Sequence, residues 1–539
     1  MPRVAGTCRT ARSRLSRPSR PVMIDVMAAR LRLTVLCSAA LLIVLAGRDL
    51  GQTAQAPPEP KSPAKAKPQP IPAAAANPQT GWDEKVIRVP VVGQAYIYAP
   101  HHPTTPNVVL FMSGDGGWNL GVVDMARRMM PKATVIGISY VALRRPPGET
   151  TKCWMPSGDL EVIAHSAEKQ LALPAYQPPV LVGYSSGATE VYEALAASPY
   201  SFAGGLAMGF CPDLPASHSL CSSDNFKPPP RDVKRNVVML PKVAELPREF
   251  YVVNGVQDQV CTPPQMHAFL DDMKNAHFYE APGTGHGFSR PFRWGPSFDE
   301  AYDKVLESAT NANHPQHAVT EAPPGTAAAL EPRLEALKLP LEYEWAGRTR
   351  ALLIFSSGDG GWMPLDRGVA GYLTAHDVSV VGLNTQSYLW NERTPDECAA
   401  DLSRILDVAE GLHVPVFVGG YSIGAEITPF MLNGLKEADR AKVSGEVLIA
   451  PSETATFEFK VMNMLFRAKQ TPYVVADAVK KGHVPAVCIS GKDEQARDTA
   501  CTSMGTAADE VQLPGTHHFN GKYDDLGKVV MEFIDQHVR

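Results

Sequence analysis

Two serines in this chain sit in the same local surroundings, Gly183-Tyr184-Ser185-Ser186-Gly187 and Gly420-Tyr421-Ser422-Ile423-Gly424. A serine hydroxyl becomes a useful nucleophile only when a neighbouring base takes its proton and a third group orients that base. Both serines have such partners downstream. After the apolar run Phe250–Asn254 comes Asp258, and His286 follows 28 residues later, completing a Ser185–Asp258–His286 set. In the second case the lead-in Pro514-Gly515-Thr516 repeats Pro282-Gly283-Thr284 and aligns His518 with His286, with His517 the adjacent alternative. The acid there is Asp493 or Glu494, with Asp498 a third choice. Asp493 is favoured because Asp is the commoner triad acid, although alignment of Gly491 with Gly255 puts Glu494 over Asp258.

A third repeated motif lies upstream: Phe111–Trp118 reads FMSGDGGW and Phe355–Trp362 reads FSSGDGGW. A glycine-rich turn after a strand can aim backbone N–H groups at a developing oxyanion. The candidate donors are Asp115, Gly116 and Ser186 in one copy, and Asp359, Gly360 and Ile423 in the other. Asp115 and Asp359 are unexpected there, because a carboxylate repels an oxyanion. Either they turn away and fix the loop, or they receive a cationic part of the substrate.

Residues at such spacing need elements to hold them. Val414–Val418 is an apolar, β-branched run that stops at Gly419-Gly420, and helical spacing begins just after Ser422. Strand, sharp turn and helix around G-x-S-x-G form the nucleophile elbow of α/β-hydrolases. The three motifs recur at separations of 244, 237 and 232 residues, in the same order. One fold is therefore used twice. Apolar strand candidates are Val108–Met112, Thr134–Ile138, Val180–Gly183, Gly204–Met208 and Phe250–Val253. In the second copy they are Ala351–Phe355, Val378–Leu383, Val416–Gly419, Glu446–Ala450 and Ala486–Ser490. Helical segments such as Asp159–Leu173 lie between them and a closing helix covers Asp524–His537. Strands alternating with helices predict two tandem α/β-hydrolase-like domains, each a mostly parallel doubly wound sheet. Expected boundaries are 81–310 and 333–539, with a linker at 311–332. Phe457–Tyr473 is an apolar insertion that reads as a core helix before it reads as a lipid-facing mouth.

The remaining segments concern address. Arginine-rich residues precede Leu33–Ala46, LTVLCSAALLIVLA, whose length suits a signal-peptide core better than a membrane span. Residues 1–56 are read as signal peptide or N-terminal anchor and 57–80 as a Pro/Ala-rich tether. Both place the domains outside the cytoplasm. Removing nine Arg and two Asp with residues 1–56 takes the formal charge from −5 to −12, which disfavours nucleic acid as a partner. Seven cysteines remain, and an oxidising compartment permits disulfides. Four in the first half can pair fully, and Cys488 with Cys501 would flank the acid-bearing loop of the second. No cysteine or histidine cluster has metal-ligand spacing, and no cofactor is expected.

SGDGGW, GYSxGAE and PGTHHF, duplicated behind a signal sequence, resemble the bacterial AcvB/VirJ virulence-protein family across most of residues 81–539. The resemblance implies periplasmic α/β-hydrolase domains, activity on lysyl-phosphatidylglycerol and a link to type IV secretion. It maps the family's serine motif onto Gly420–Gly424 and its histidine onto His518. This chain departs from the family in carrying a complete set in its first half too. The expectation is a periplasmic serine esterase for aminoacyl-phosphatidylglycerol at a membrane surface, with Asp359, and next Glu426, receiving the ammonium. The alternatives are a non-catalytic binding or chaperone factor for secretion, and an esterase for another acyl ester.

Overall fold

The computed structural model describes residues 81–144, 153–216, 219–223, 226–313, 326–461, 470–482, 484–494 and 499–538. The segments expected as signal peptide or anchor (1–56) and tether (57–80), Asp498 and residues 462–469 of the apolar insertion lie outside them. Among the described residues no helix is long and apolar enough to cross a membrane.

The first sheet is built from β1 (Trp82–Ile87), β2 (Ala95–Pro100), β3 (Val108–Met112), β4 (Thr134–Ile138), β5 (Val180–Tyr184) and β6 (Gly204–Met208). A side ribbon of β7 (Asp213–Pro215) and β8 (Val237–Met239) precedes β9 (Glu245–Gly255) and β10 (Lys274–Ala281). The order is β1-β2-β4-β3-β5-β6-β9-β10. The β1–β2 and β2–β4 pairs are antiparallel, and every later neighbour is parallel. The second sheet repeats this without the first edge strand. Its strands are β11 (Leu341–Glu344), β12 (Ala351–Ser356), β13 (Val378–Leu383), β14 (Val416–Tyr421), β15 (Val443–Ile449), β16 (Ala486–Gly491) and β17 (Asp509–Leu513). Their order is β11-β13-β12-β14-β15-β16-β17, antiparallel only at β11–β13. These are two α/β-hydrolase sheets, as expected.

Each strand candidate named above falls on a central strand, with only Ala450 beyond the end of β15, because both faces of a parallel sheet are covered and the strand is apolar throughout. β3, β6, β12, β14 and β16 are buried at every position. The edge strands β1, β10 and β17 alternate exposed and part-buried residues and carry charge, so they give no apolar run. The stretch expected as a linker is partly structured. Helix Pro291–Asn313 runs into it, and Ala327–Leu330 and Glu331–Glu335 form turns that bury Leu330 and Leu334.

One hydrophobic core runs through both halves. Trp390, from the segment after β13, is 1% exposed. Its indole Nε1 donates to the Leu173 carbonyl (2.9 Å), and its own carbonyl accepts from Lys169 Nζ. Beside it, His165 of helix Pro156–Gln170 stacks on Tyr176. His165 Nδ1 lies 2.7 Å from the Glu161 carbonyl and must carry the proton, so Nε2 accepts from Gln386 Nε2 at 2.9 Å. Burial holds this imidazole neutral, with its pKa lowered to about 4.

Candidate active sites

Each serine sits at the tip of the middle strand. Ser185 has φ 55° and ψ −120°, Ser422 φ 52° and ψ −123°. A non-glycine residue held there costs on the order of 1–3 kcal/mol, a strain that the surrounding fold must impose. The flanking glycines allow it. A Cβ on Gly187 would stand 2.5 Å from the Ser113 carbonyl oxygen, and one on Gly424 2.1 Å from that of Ser356. Any side chain there would drive the elbow helix off the neighbouring strand. Helices Ser186–Ala197 and Ile423–Gly434 follow, each offering a first-turn N–H with no intrahelical acceptor.

In the first half the expected three residues come together. Ser185 Oγ lies 2.9 Å from His286 Nε2, and His286 Nδ1 lies 2.8 Å from Asp258 Oδ2. The other oxygen, Oδ1, accepts from the amides of Val260 (2.8 Å) and Cys261 (2.9 Å). Burial works against the Asp258 charge, but the hydrogen bond from His286 and the two amides outweigh it and hold the pKa below the ordinary value. The Cys211–Cys261 disulfide ties this loop to the segment after β6. Cys261 Sγ also lies near Asp258 and His286. A sulfur engaged in a disulfide is no metal ligand, and the other two atoms are spent on each other.

The second half corrects two expectations. His517, not His518, faces the serine: its Nε2 is 3.0 Å from Ser422 Oγ. His517 Nδ1 meets Glu494 Oε1 at 3.0 Å, so the acid is Glu494 and not Asp493. Glu494 Oε2 accepts from the Gly491 amide at 3.0 Å. The reason is one of lengths. His286 stands five residues beyond the end of β10, whereas His517 stands four beyond the end of β17. The acid position is the same in both halves, three residues past the strand, so glutamate's extra methylene spans the altered gap. Asp493 clamps the two loops: its amide donates to the Gly515 carbonyl, and its carboxylate accepts from the Gly515 amide. His518 is exposed and its Nδ1 pairs with Tyr421 Oη at 3.0 Å. Cys488 and Cys501 are joined, as expected, and the free Cys398 is buried.

Two positions escaped the sequence reading although both recur. The tyrosine before each nucleophile pins the histidine loop, Tyr184 to the His286 carbonyl (3.1 Å) and Tyr421 to that of His517 (3.3 Å). Ser113 and Ser357, opening SGDGGW, each accept an amide from the next crossover, Tyr140 (3.1 Å) and Thr385 (3.0 Å). They fix the loop that packs on the elbow, where a Cβ on Gly114 would stand 3.0 Å from Ser185 Cβ and one on Gly358 3.8 Å from Ser422 Cβ.

The aspartates of that loop differ between halves. Asp115 accepts from Ser186 Oγ and from Arg144 Nη1 (3.2 Å), so it turns aside and ties the loop down. At the matching places the second half has Ile423 and Leu389, and among the described residues Asp359 has no hydrogen-bond or ion-pair partner. It is exposed beside the elbow, as is Gly360. Glu426, in the first turn after Ser422, is buried, which lifts its pKa to about 7 against a hydrogen bond from the Ser452 amide at 3.3 Å. Its counterpart in the first half is the neutral Thr189, bonded to the Cys211 carbonyl.

The family model described as bacterial virulence protein (VirJ) matches residues 350–538, roughly a third of the chain, and covers the Ser422 site. The resemblance read from the sequence is thus met over the second half. No curated protein matches the chain. Among solved structures, Est1E from Butyrivibrio proteoclasticus is similar at 15% identity and TM-score 0.29, over 36% of this chain and 92% of that one. MenH from S. aureus is similar at 13% and 0.28, over 36% and 98%. A cold-adapted esterase from an Arctic intertidal metagenomic library is similar at 13% and 0.27, over 37% and 88%.

Proposed function

We propose that the second half is a serine esterase that removes the aminoacyl group from aminoacyl-phosphatidylglycerol outside the cytoplasm. The observation that carries the reading is the Ser422–His517–Glu494 chain on a strained elbow, with the carboxylate of Asp359, unpartnered among the described residues, at its rim. Ser422 Oγ attacks the ester carbonyl carbon while its proton passes to His517 Nε2. Glu494 holds the imidazole and balances its charge. Amides of the Asp359–Gly360 turn and of Ile423 receive the oxyanion. Collapse of the tetrahedral species expels the glycerol hydroxyl of the lipid, which takes the proton from His517. Water then repeats the cycle on the acyl-serine, releasing the amino acid and restoring Ser422. The ammonium of the acyl group lies close to the carbonyl, where Asp359 offsets its charge. The three disulfides suit an oxidising compartment, and a periplasmic location and association with type IV secretion go with the family reading.

The test is hydrolysis of lysyl-phosphatidylglycerol by the full chain against Ser422→Ala. Turnover that persists in the variant overturns the assignment. A second reading has its own observation, since Ser185–His286–Asp258 is equally complete: the first half hydrolyses an ester lacking the ammonium. Labelling by a fluorophosphonate in Ser422→Ala, lost in the double variant with Ser185→Ala, tests it.

A further inference from the structure

We propose that the first half carries a site for the phosphate group of an anionic phospholipid, in the polar cavity between its histidine loop and the start of helix Pro291–Asn313. The cavity, of about 240 Å³, is lined by Gln257, Gly283–Gly285, Ser289, Arg290 and Arg293. That is below the roughly 300–1,000 Å³ of pockets that enclose drug-sized ligands, and is sized for a headgroup and not for a whole lipid. It opens where β9 and β10 end, the edge of an α/β sheet at which ligands gather.

The lining is preorganised for an anion. Arg293 is half-buried, and its Nη1 donates to the Gly283 carbonyl at 2.8 Å. Gly283 has φ 61°, and a Cβ there would stand 2.6 Å from Arg293 Nη1, so only glycine lets the guanidinium rest on the loop. That loop is fixed by the Gln257 amide on the Thr284 carbonyl (2.9 Å). Among the described residues neither Arg290 nor Arg293 has a carboxylate partner, and each keeps N–H groups for phosphate oxygens, the geometry guanidinium serves best.

The rim points to a bilayer as the source of the phosphate. Phe292, between the two arginines, is 75% exposed, and Val256 and Val260, flanking Gln257 and Asp258, are 46% and 64% exposed. Arginines beside protruding apolar side chains match an anionic headgroup layer over hydrocarbon. The second half lacks the arrangement. Its closing helix begins Tyr523-Asp524-Asp525, and Tyr523 packs on Gly368. The corner is therefore not a by-product of the shared fold. It also stands apart from Ser422, so the esterase reading can fail without it.

The experiment compares the full chain on vesicles of phosphatidylcholine and of phosphatidylcholine mixed with phosphatidylglycerol, by co-sedimentation. Binding to the mixed vesicles should exceed that to phosphatidylcholine. Arg290→Ala and Arg293→Ala should each lower it about 5-fold, about 25-fold together, at about 1 kcal/mol per basic residue. Arg290→Glu, at an exposed position, should act more strongly with the fold intact, and Phe292→Ser should also weaken it. A soluble short-chain phosphatidylglycerol should raise the thermal midpoint of the parent and not of the double arginine variant. Unchanged vesicle binding in the double variant overturns the proposal, as does an equal response to short-chain phosphatidylcholine. Stabilisation by inorganic phosphate alone, without the lipid, would leave a free-phosphate site and remove the lipid assignment. Ser422→Ala should bind like the parent.

Discussion

The two halves hold the same three-group relay with different parts, and the parts that differ are informative. Where geometry must be kept, one change is matched by another: a histidine one residue nearer its strand goes with a glutamate one methylene longer. Where charge is concerned nothing is matched. The first half neutralises its loop aspartate with Arg144 and Ser186, whereas the second gives Asp359 no partner among the described residues and adds the buried Glu426. Relay geometry is common to acyl-transfer chemistry. On the proposed reading, charge at the rim selects the acyl group, and the two halves would run the same reaction on different esters.

The sharpest way to break that comparison is at the histidines. His517→Ala and Ser422→Ala should each lower kcat on the lysyl lipid by about 10⁴-fold or more. His518→Ala, which loses only the Tyr421 contact, should lower it less than tenfold. Equal losses at 517 and 518 would return the relay to His518. Ser185→Ala and His286→Ala should leave the lysyl-lipid rate within a factor of two, as steady-state assays of the full chain would establish.

That pair of histidines also marks where the sequence stops being legible. The central strands, both elbows and the Ser185–Asp258–His286 set follow from apolar runs and from repetition. Which of two adjacent histidines turns inward depends on one residue of loop length and on Tyr421 Oη, neither of which the motif PGTHH encodes. Preference for Asp over Glu as triad acid failed for the same reason, because the choice is set by the distance to be bridged. The join between halves was likewise hidden. Trp390 and Phe459 look like ordinary core residues of the second half, and only the fold sets them against His165 and Tyr176. Gln386 extends this contact to the oxyanion loop, since a Cβ on Gly361 would lie 3.4 Å from its Oε1.

A smaller contrast lies in the crosslinks. The first half has two, closing 68 and 50 residues, and the second has one, closing 13. On the chain-entropy account these contribute about 4 kcal/mol each in the first half and about 3 kcal/mol in the second. Cys153→Ser with Cys221→Ser should therefore lower the denaturant midpoint more than Cys488→Ser with Cys501→Ser. The second pair should cost more esterase activity at a temperature where the fold persists, because it flanks the Glu494 loop. The reverse order in both assays would detach the crosslinks from the acid loops.

Glu426 gives the second site a pH dependence that the neutral Thr189 cannot give the first. Its folded pKa of about 7 lies above the ordinary carboxylate value of 4.5, chiefly through burial. The folded state therefore holds a proton that the unfolded chain has released, and stability falls as pH rises between those values. The loss amounts to about 3 kcal/mol by pH 8. Glu426→Gln should flatten that part of a midpoint-against-pH curve, while Thr189→Val in the first half should shift the curve without changing its slope. If the slope survives in Glu426→Gln, other acids raised by burial carry it, such as Glu446 at about 8 or, in the first half, Glu161 at about 7 and Glu193 at about 8.

The smallest expected effect bears most directly on substrate. Asp359 is exposed, so in the free protein an ion pair there would be worth only a few tenths to 1 kcal/mol. A lipid ester seated over the elbow excludes water from the carboxylate, which moves the pair toward the 1.5–3 kcal/mol of a charged hydrogen bond. Between those limits, Asp359→Asn should lower kcat/KM for the lysyl lipid about tenfold relative to a neutral acyl ester of equal size. For the neutral ester the same change should raise the rate slightly, since a charge that opposes the oxyanion is gone. Asp115→Asn in the first half should do neither: it would loosen the loop from Arg144 and lower reactivity of Ser185 toward every ester alike. Equal loss on both lipids in Asp359→Asn would make Asp359 a loop-shaping residue like Asp115. Selectivity for the ammonium would then fall to Glu426, and the pH dependence of the lysyl-to-neutral ratio, rising as Glu426 ionises near pH 7, would reveal it.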